Sequence, residues 1–175
     1  MRKFFVKKAL GLHNFVYKLC SFLAIKAESG KHPKHRIVNY HQFFLDNISP
    51  NCLVLDIGCS EGSLTFDLSK KAKKVVGIDL NLSYLKKAKE KNKASNIEYV
   101  LGDATKYVFK EKFDVVVLSN VLEHIENRID FLKKIKPLAN KILIRVPAID
   151  RDWITLYKKE LGLEYLLIAG TLIKI

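Results

Sequence analysis

The sequence contains few of the residues that define disulfide-bonded, zinc-binding or membrane-spanning proteins. Three cysteines occur among 175 residues, an odd number without a CxxC pair, which argues against a disulfide framework and a thiolate zinc site. The histidines His32, His35 and His41 lack acidic or cysteine neighbours that could complete a metal site, so no metal is predicted. No run of about 18 apolar residues is present, so no segment is expected to span a membrane.

Acidic residues are also scarce. The chain has 18 of them against 31 basic residues, so its formal net charge is +13. Most basic residues are lysines scattered along helical segments, whereas nucleic-acid readers more often cluster arginine with aromatic residues. Nucleic acid is therefore not the favoured partner, although a basic surface also suits RNA or a peripheral contact with an anionic membrane. Lys7 and Lys8 interrupt any apolar signal-peptide core, so a cytoplasmic location is expected, with membrane association left open.

Apolar residues make up 49% of the chain, which is typical of a globular protein with a sizeable core. Runs rich in valine, isoleucine and leucine occupy 53–57, 75–78, 97–101, 114–118 and 141–146. Helical patterns alternate with them at 63–71, 82–92, 121–136 and a short stretch near 104–108. Continuous apolar runs are typical of strands buried on both faces, so the chain is predicted to be α/β with a doubly wound, mostly parallel sheet.

The first 48 residues read as an N-terminal helical extension, and residues 49–175 as a Rossmann-like domain. A helix is predicted over 4–27, with an apolar stripe that includes Leu12, Phe15 and Leu19. Two interpretations stay open: a helix that docks on the main domain, or a basic amphipathic helix that lies on a membrane or covers a substrate. A second helix is predicted from Arg36 to Asn47.

The stretch LVLDIGCSEGSLT, residues 53–65, combines an apolar strand with a glycine turn and a helix start. Ligands of doubly wound sheets bind at the carboxyl ends of the strands, and glycine lets the backbone approach them. The lysine of an ATP phosphate loop is missing, and Gly58 and Gly62 do not have dinucleotide-binding spacing. Asp56 inside the motif suits a cationic group such as an amine or a sulfonium.

Acidic and amide residues also follow the next strands. Asp79 ends the second strand, where an acid can bind both hydroxyls of a ribose, and Asp103 follows the third, where it can accept from an adenine amine. The fourth strand ends in Ser119 and Asn120. A ligand with an amine, a carboxylate, a ribose and an adenine is S-adenosylmethionine, which is the predicted cofactor.

Residues 51–147 resemble the class I S-adenosylmethionine-dependent methyltransferases, especially the small-molecule group that includes quinone-biosynthesis enzymes. LDIGCSEG resembles the first motif of the family, with Ser60 where glycine is usual, and GIDLN, GDAT and LSNVLEHIEN resemble the ends of strands two to four. The resemblance implies that Asp79 holds the ribose beside Leu80, that Asp103 and Ala104 meet the adenine, and that Asn120 and Val121 line the methionine part. It also implies a basic residue for the cofactor carboxylate, for which Arg36 is the candidate. The cofactor residues thus predicted are Arg36, Asp56, Gly58, Ser60, Gly62, Asp79, Leu80, Asp103, Ala104 and Asn120.

Methyl transfer is an in-line displacement that needs a base only when the acceptor must lose a proton. Glu123 and His124 follow the fourth strand, and His124 is preferred because an imidazole exchanges protons near neutral pH. The predicted acceptor is a small or lipid-like molecule. The family sheet normally has two further strands, but only 148–175 follow the fifth run, so a shortened sheet is expected. The alternative is a truncated, non-catalytic cofactor-binding or interaction domain.

Overall fold

The computed structural model describes residues 2–28, 37, 39–147 and 160–162. The chain divides into two compact units, of which the first contains the helix α1 (Arg2–Ala27) and the second runs from Tyr40 to Pro147. The second unit starts before the predicted domain boundary at residue 49, because Phe44 and Ile48 belong to its core. Arg36, and residues 148–175 apart from 160–162, lie outside the described residues.

The second unit is built on one sheet of five strands: β1 (Leu53–Ile57), β2 (Lys74–Asp79), β3 (Ile97–Leu101), β4 (Phe113–Ser119) and β5 (Ala139–Arg145). Its order is β3-β2-β1-β4-β5, and every pairing is parallel. The doubly wound α/β prediction is confirmed. The chain moves outward from β1 in both directions, so the strand order reverses between β1 and β4, where folds of this type form a ligand crevice.

Helices cover both faces of the sheet: α2 (Tyr40–Asp46), α3 (Ser63–Ser69), α4 (Leu82–Lys91) and α5 (Arg128–Ile135). Side chains of β1 alternate between two cores. Val54 packs in the cluster that contains Phe44 of α2, whereas Leu55 packs in the cluster that contains Phe131 and Ile135 of α5. Both faces of the strand are buried from water, which explains why apolar and polar residues do not alternate in its sequence.

The prediction of one helix over 121–136 is wrong. The chain instead forms a 3₁₀ turn over Leu122–His124 and begins α5 only at Arg128. Asn127 caps that helix by accepting from the backbone N–H of Asp130, and capping residues of this type favour helix starts over interiors. Ile129 within α5 is 67% exposed, because the helix turns Phe131 and Ile135 toward the sheet.

The prediction of a short helix near 104–108 is also wrong. Residues 104–106 form a turn, and 107–110 have no regular structure. Asp103 Oδ1 accepts from the backbone N–H of Thr105 at 2.9 Å and from its hydroxyl at 2.6 Å. A side chain that satisfies the backbone in this way competes with helix formation.

Candidate active site

The carboxyl ends of the strands are joined by hydrogen bonds just beyond the sheet. The backbone N–H of Gly58 donates to Ile78 O at 2.8 Å, and that of Asn120 donates to Arg145 O at 2.8 Å. Gly102 donates to the last carbonyl of β2 at 3.0 Å. The predicted site segments, although far apart in sequence, therefore form one edge of the sheet.

The turn between β1 and α3 adopts left-handed backbone conformations at three positions. The φ values are 72° at Gly58, 52° at Ser60 and 79° at Gly62. A side chain at Gly58 would collide with Val121, and one at Gly62 would collide with the hydroxyl of Tyr99. The glycines are thus required by close packing of the turn against its neighbours. Ser60 carries the strain of a conformation that glycine adopts without cost, which explains why glycine is usual there.

Asp79 connects the glycine turn to the loop after β2. Its Oδ2 accepts from the backbone N–H of Ser60 at 2.8 Å, and its Oδ1 accepts from that of Asn81 at 2.8 Å. A carboxylate oxygen has two lone pairs, so each oxygen can still accept from a ligand hydroxyl. Leu80 beside it is 71% exposed and offers an apolar surface to a flat ring. The pair fits a ribose and an adjoining base.

Asp103 presents a carboxylate that favours its charged form. Hydrogen bonds from the side chain and backbone of Thr105 lower its pKa, and the Lys106 ammonium, 3.6 Å from Oδ2, acts in the same direction. Both bonds from Thr105 go to Oδ1, so Oδ2 can accept from an amino group of a ligand. Ala104 packs against the core beside it.

Asp56 lies behind the turn, with only 2% of its surface exposed. Its Oδ2 accepts from the hydroxyl of Thr65 in α3 at 2.6 Å. Burial raises the pKa of Asp56 to about 7, the Thr65 hydrogen bond opposes that rise, and the charge of Asp79 adds to it. In this structure Asp56 connects β1 to α3, and its direct contact with a cationic ligand group stays a prediction.

Arg145, at the end of β5, is a site residue that the motif comparison did not identify. Its Nη1 donates to Asn120 Oδ1 at 2.8 Å, which leaves the amide NH₂ as a donor for a ligand. Its guanidinium carbon lies 4.3 Å from the ring centroid of Tyr40 in α2. Asn120 itself has a φ of 57°, so Arg145 supports a strained residue at the reversal point of the sheet. Extending the strand-end rule to the fifth apolar run would have identified it.

Glu123 and His124 occupy the 3₁₀ turn after β4 and differ in their surroundings. His124 is exposed, whereas both carboxylate oxygens of Glu123 are buried without a hydrogen-bond partner among the described residues. Arg128 holds the turn through its guanidinium, which donates to Leu122 O at 3.1 Å and to Glu123 O at 3.3 Å. The backbone of the turn is therefore fixed, while the Glu123 carboxylate has no hydrogen-bond partner within the part of the chain that the structure describes.

A surface groove with a volume of about 540 Å³ lies elsewhere, between α5 and β5, and is lined in part by Ile129, Leu132 and Ile142. None of its lining residues belongs to the predicted cofactor or catalytic set. The polar strand ends, and not this groove, carry the chemistry described above.

Comparison with known proteins identifies the fold and the family. The family described as "Methyltransferase domain" matches residues 55–141. The ubiquinone biosynthesis O-methyltransferase of Bradyrhizobium diazoefficiens is 33% identical over 129 residues, which are 68% of this chain and 50% of that protein. The chain thus spans about half the length of this curated relative.

Two solved structures share the fold. A putative methyltransferase from Bacillus halodurans C-125 aligns with a TM-score of 0.58 and 24% identity, over 69% of this chain and 55% of that one. The N-methyltransferase NodS from Bradyrhizobium japonicum, in complex with S-adenosyl-L-homocysteine, aligns with a TM-score of 0.54 and 20% identity, over 68% of this chain and 67% of that one. The sequence prediction of S-adenosylmethionine as cofactor is confirmed at the level of the family. This chain belongs to the class I S-adenosylmethionine-dependent methyltransferase family.

Proposed function

We propose that this chain binds S-adenosylmethionine at the carboxyl edge of its sheet and transfers the methyl group to a small or lipid-like acceptor. The observation that carries the proposal is the position of Asp79. Its carboxylate holds the glycine turn through Ser60 and the next loop through Asn81, next to the exposed Leu80. This arrangement places an acceptor of hydrogen bonds and an apolar wall side by side, as a nucleoside requires.

The cofactor supplies a methyl group that its sulfonium already activates, so the protein mainly binds, orients and excludes water. In the proposed site, Asp79 accepts from the ribose hydroxyls and Asp103 accepts from the adenine amine through Oδ2. The Asn120 amide, oriented by Arg145, donates to the methionine part. These roles use the lone pairs and donors that internal hydrogen bonds leave available.

Glu123 is the residue that we assign to the acceptor. A buried carboxylate without a partner is costly, and such groups in native structures commonly have functional roles. Glu123 can accept a hydrogen bond from an acceptor hydroxyl or amine and take its proton where the reaction releases one. Glu123 therefore replaces the exposed His124 as the preferred base.

The acceptor class draws support from the relatives. One is named for O-methylation in ubiquinone biosynthesis and another neighbour for N-methylation, so the reacting atom of the acceptor can be oxygen or nitrogen. Incubation of the full chain with S-adenosylmethionine and separate panels of phenols, amines and long-chain quinols distinguishes these classes. Cofactor binding with no S-adenosylhomocysteine formed in any of the panels would favour the non-catalytic alternative.

Calorimetry with S-adenosylmethionine and S-adenosylhomocysteine tests the cofactor site. Asp79→Ala should weaken binding of both by about 1–3 kcal/mol, roughly 5- to 150-fold, because hydrogen bonds to a charged group are lost. Asp114→Ala is the matched control, since Asp114 also accepts from a backbone N–H, that of Leu53 at 2.7 Å, but at the opposite edge of the sheet. Equal affinity of wild type and Asp79→Ala would refute the proposed ribose site.

A further inference from the structure

The helix α1 exposes a continuous apolar stripe. At 100° per residue, eight large apolar side chains fall within an arc of about 120° on one side of the helix. Each of them is 44–64% exposed: Phe4, Phe5, Leu12, Phe15, Val16, Leu19, Phe22 and Leu23. The opposite side carries the buried Leu10. So much large apolar surface in contact with water is unusual for a soluble protein and marks an interaction surface.

The charges of α1 are of one sign. The helix contains no aspartate or glutamate and carries six basic residues: Arg2, Lys3, Lys7, Lys8, Lys18 and Lys26. Two of them lie along the stripe, since the ammonium of Lys8 is 5.6 Å from the ring centroid of Phe4 and that of Lys26 is 4.7 Å from that of Phe22. Lysines placed in this way can cover apolar surface with their methylenes while their charged ends reach outward.

Together these features select one partner. Nucleic acid would satisfy the cations but would leave the eight apolar side chains in water. A second copy of α1 would cover the stripe but would bring six more basic residues and no acid. An anionic bilayer surface satisfies both, because apolar side chains enter the boundary of headgroups and acyl chains while lysines meet lipid phosphates. Among the described residues, no helix is long and apolar enough to cross a membrane.

We propose that α1 is an interfacial helix that lies on an anionic membrane surface through this stripe. The inference does not depend on methyl transfer, because it uses only the exposure and charge of α1. Its failure would leave the cofactor site untouched, and loss of cofactor binding would leave the membrane surface untouched.

The test is co-sedimentation of the full chain with phosphatidylcholine vesicles that contain or lack phosphatidylserine. Binding is expected only with phosphatidylserine and at low salt, since the Debye length falls from about 10 Å at 0.1 M to about 3 Å at 1 M. Phe15→Ser/Phe22→Ser and Lys7→Glu/Lys8→Glu should each lower the partition coefficient at least about tenfold. Unchanged melting temperature and cofactor affinity show that these variants stay folded.

Matched controls separate the stripe from general surface properties. Val108→Ser/Ile129→Ser removes two apolar side chains that are 77% and 67% exposed in the second unit, and Lys110→Glu/Lys112→Glu makes the same change in net charge on another exposed segment. Both should bind vesicles like wild type. The proposal is overturned if wild type does not bind acidic vesicles at low salt, or if the Phe15 and Lys7 variants bind unchanged. It is also overturned if light scattering shows a dimer that Phe15→Ser/Phe22→Ser dissociates, since the stripe would then be a contact between two copies.

Discussion

Asp56 should make the free energy of unfolding depend on pH. Burial raises the pKa of Asp56 to about 7, whereas an aspartate in the unfolded state has a pKa near 4. Between these two pH values the folded state therefore holds a proton that the unfolded state has released. The free energy of unfolding should therefore fall as pH rises from about 4 to 7, by an amount on the order of a few kcal/mol. Urea unfolding at several pH values measures this slope.

Asp56→Asn should flatten that slope while the amide oxygen still accepts from Thr65. Asp114→Asn is the control, because it changes an exposed aspartate of the same unit and should keep the slope. A wild-type stability that is constant or rises between pH 4 and 7, with Asp56→Asn behaving identically, would contradict a buried proton on Asp56.

Glu123 is a residue at which stability and the proposed function are expected to conflict. Its two carboxylate oxygens are buried and have no hydrogen-bond partner among the described residues, so they should destabilise the free protein. An amide at the same place loses less hydration on burial than a carboxylate. Glu123→Gln should therefore raise the free energy of unfolding by about 1 kcal/mol while turnover falls. Glu126→Gln, at an exposed position of the same loop, should change stability by less than about 0.5 kcal/mol. If Glu123→Gln destabilises the fold, the carboxylate is a structural group.

At the scale of elements, α4 begins directly after the end of β2, where ribose binding is proposed, and depends on its cap. Asn81 Oδ1 accepts from the backbone N–H of Ser83 at 2.9 Å and of Tyr84 at 3.3 Å. Asn81→Ala should cost about 1 kcal/mol in urea unfolding, because two helix-start donors lose their acceptor. Asn81→Ser supplies another capping oxygen and should retain most of that stability. Equal losses in both variants would mean that the side chain acts by something other than capping.

The strands β1, β2 and β4 could be predicted from the sequence because each carries a nearly continuous apolar run that a sheet covered on both faces buries. The break in the apparent helix over 121–136 could not be predicted in this way. Leu122 and Ile125 continue the helical spacing, although they pack on the core from a turn and a loop. Asn127 was the available signal, as a capping residue within the apparent helix. Local hydrogen bonds decided between two backbone conformations that spacing alone does not distinguish.

The candidate site was predictable where chemistry follows a strand end, as for Asp79 and Asp103. The reason why Gly58 must be glycine was not predictable. Its neighbour Val121 is distant in sequence and comes close only because β1 and β4 pair in parallel. Arg145 acts through Asn120, so its role depends on a contact between strand ends that no linear motif records. Burial is likewise a tertiary property, which is why Glu123 and His124 could not be ranked before the fold was known.

At the scale of the molecule, the two units carry separate surfaces. The second unit contains every described residue of the proposed cofactor site, and the first contains the basic apolar helix. The net charge of +13 is therefore compatible with a protein that meets an acidic surface through one unit and a nucleoside through the other. This separation makes the two proposals independent in experiment.

Hydrogen exchange of the whole chain can reveal the cofactor edge as a unit. A ligand that bridges the strand ends should slow exchange in 58–62, 79–82, 102–105 and 119–121, segments that are remote in sequence but adjacent at one edge of the sheet. At about 100 times the dissociation constant, binding stabilises the native state by about 2.7 kcal/mol, so protection of these loops should be measurable.

Loops at the opposite edge, 70–73 and 110–112, make no contact with such a ligand and should exchange as before. Asp79→Ala, whose affinity is expected to be about 5- to 150-fold weaker, should reduce the protection at the same cofactor concentration, whereas Asp114→Ala should keep it. Protection restricted to one segment, or found at the opposite edge, would mean that the cofactor binds in a different orientation from the one that the strand ends define.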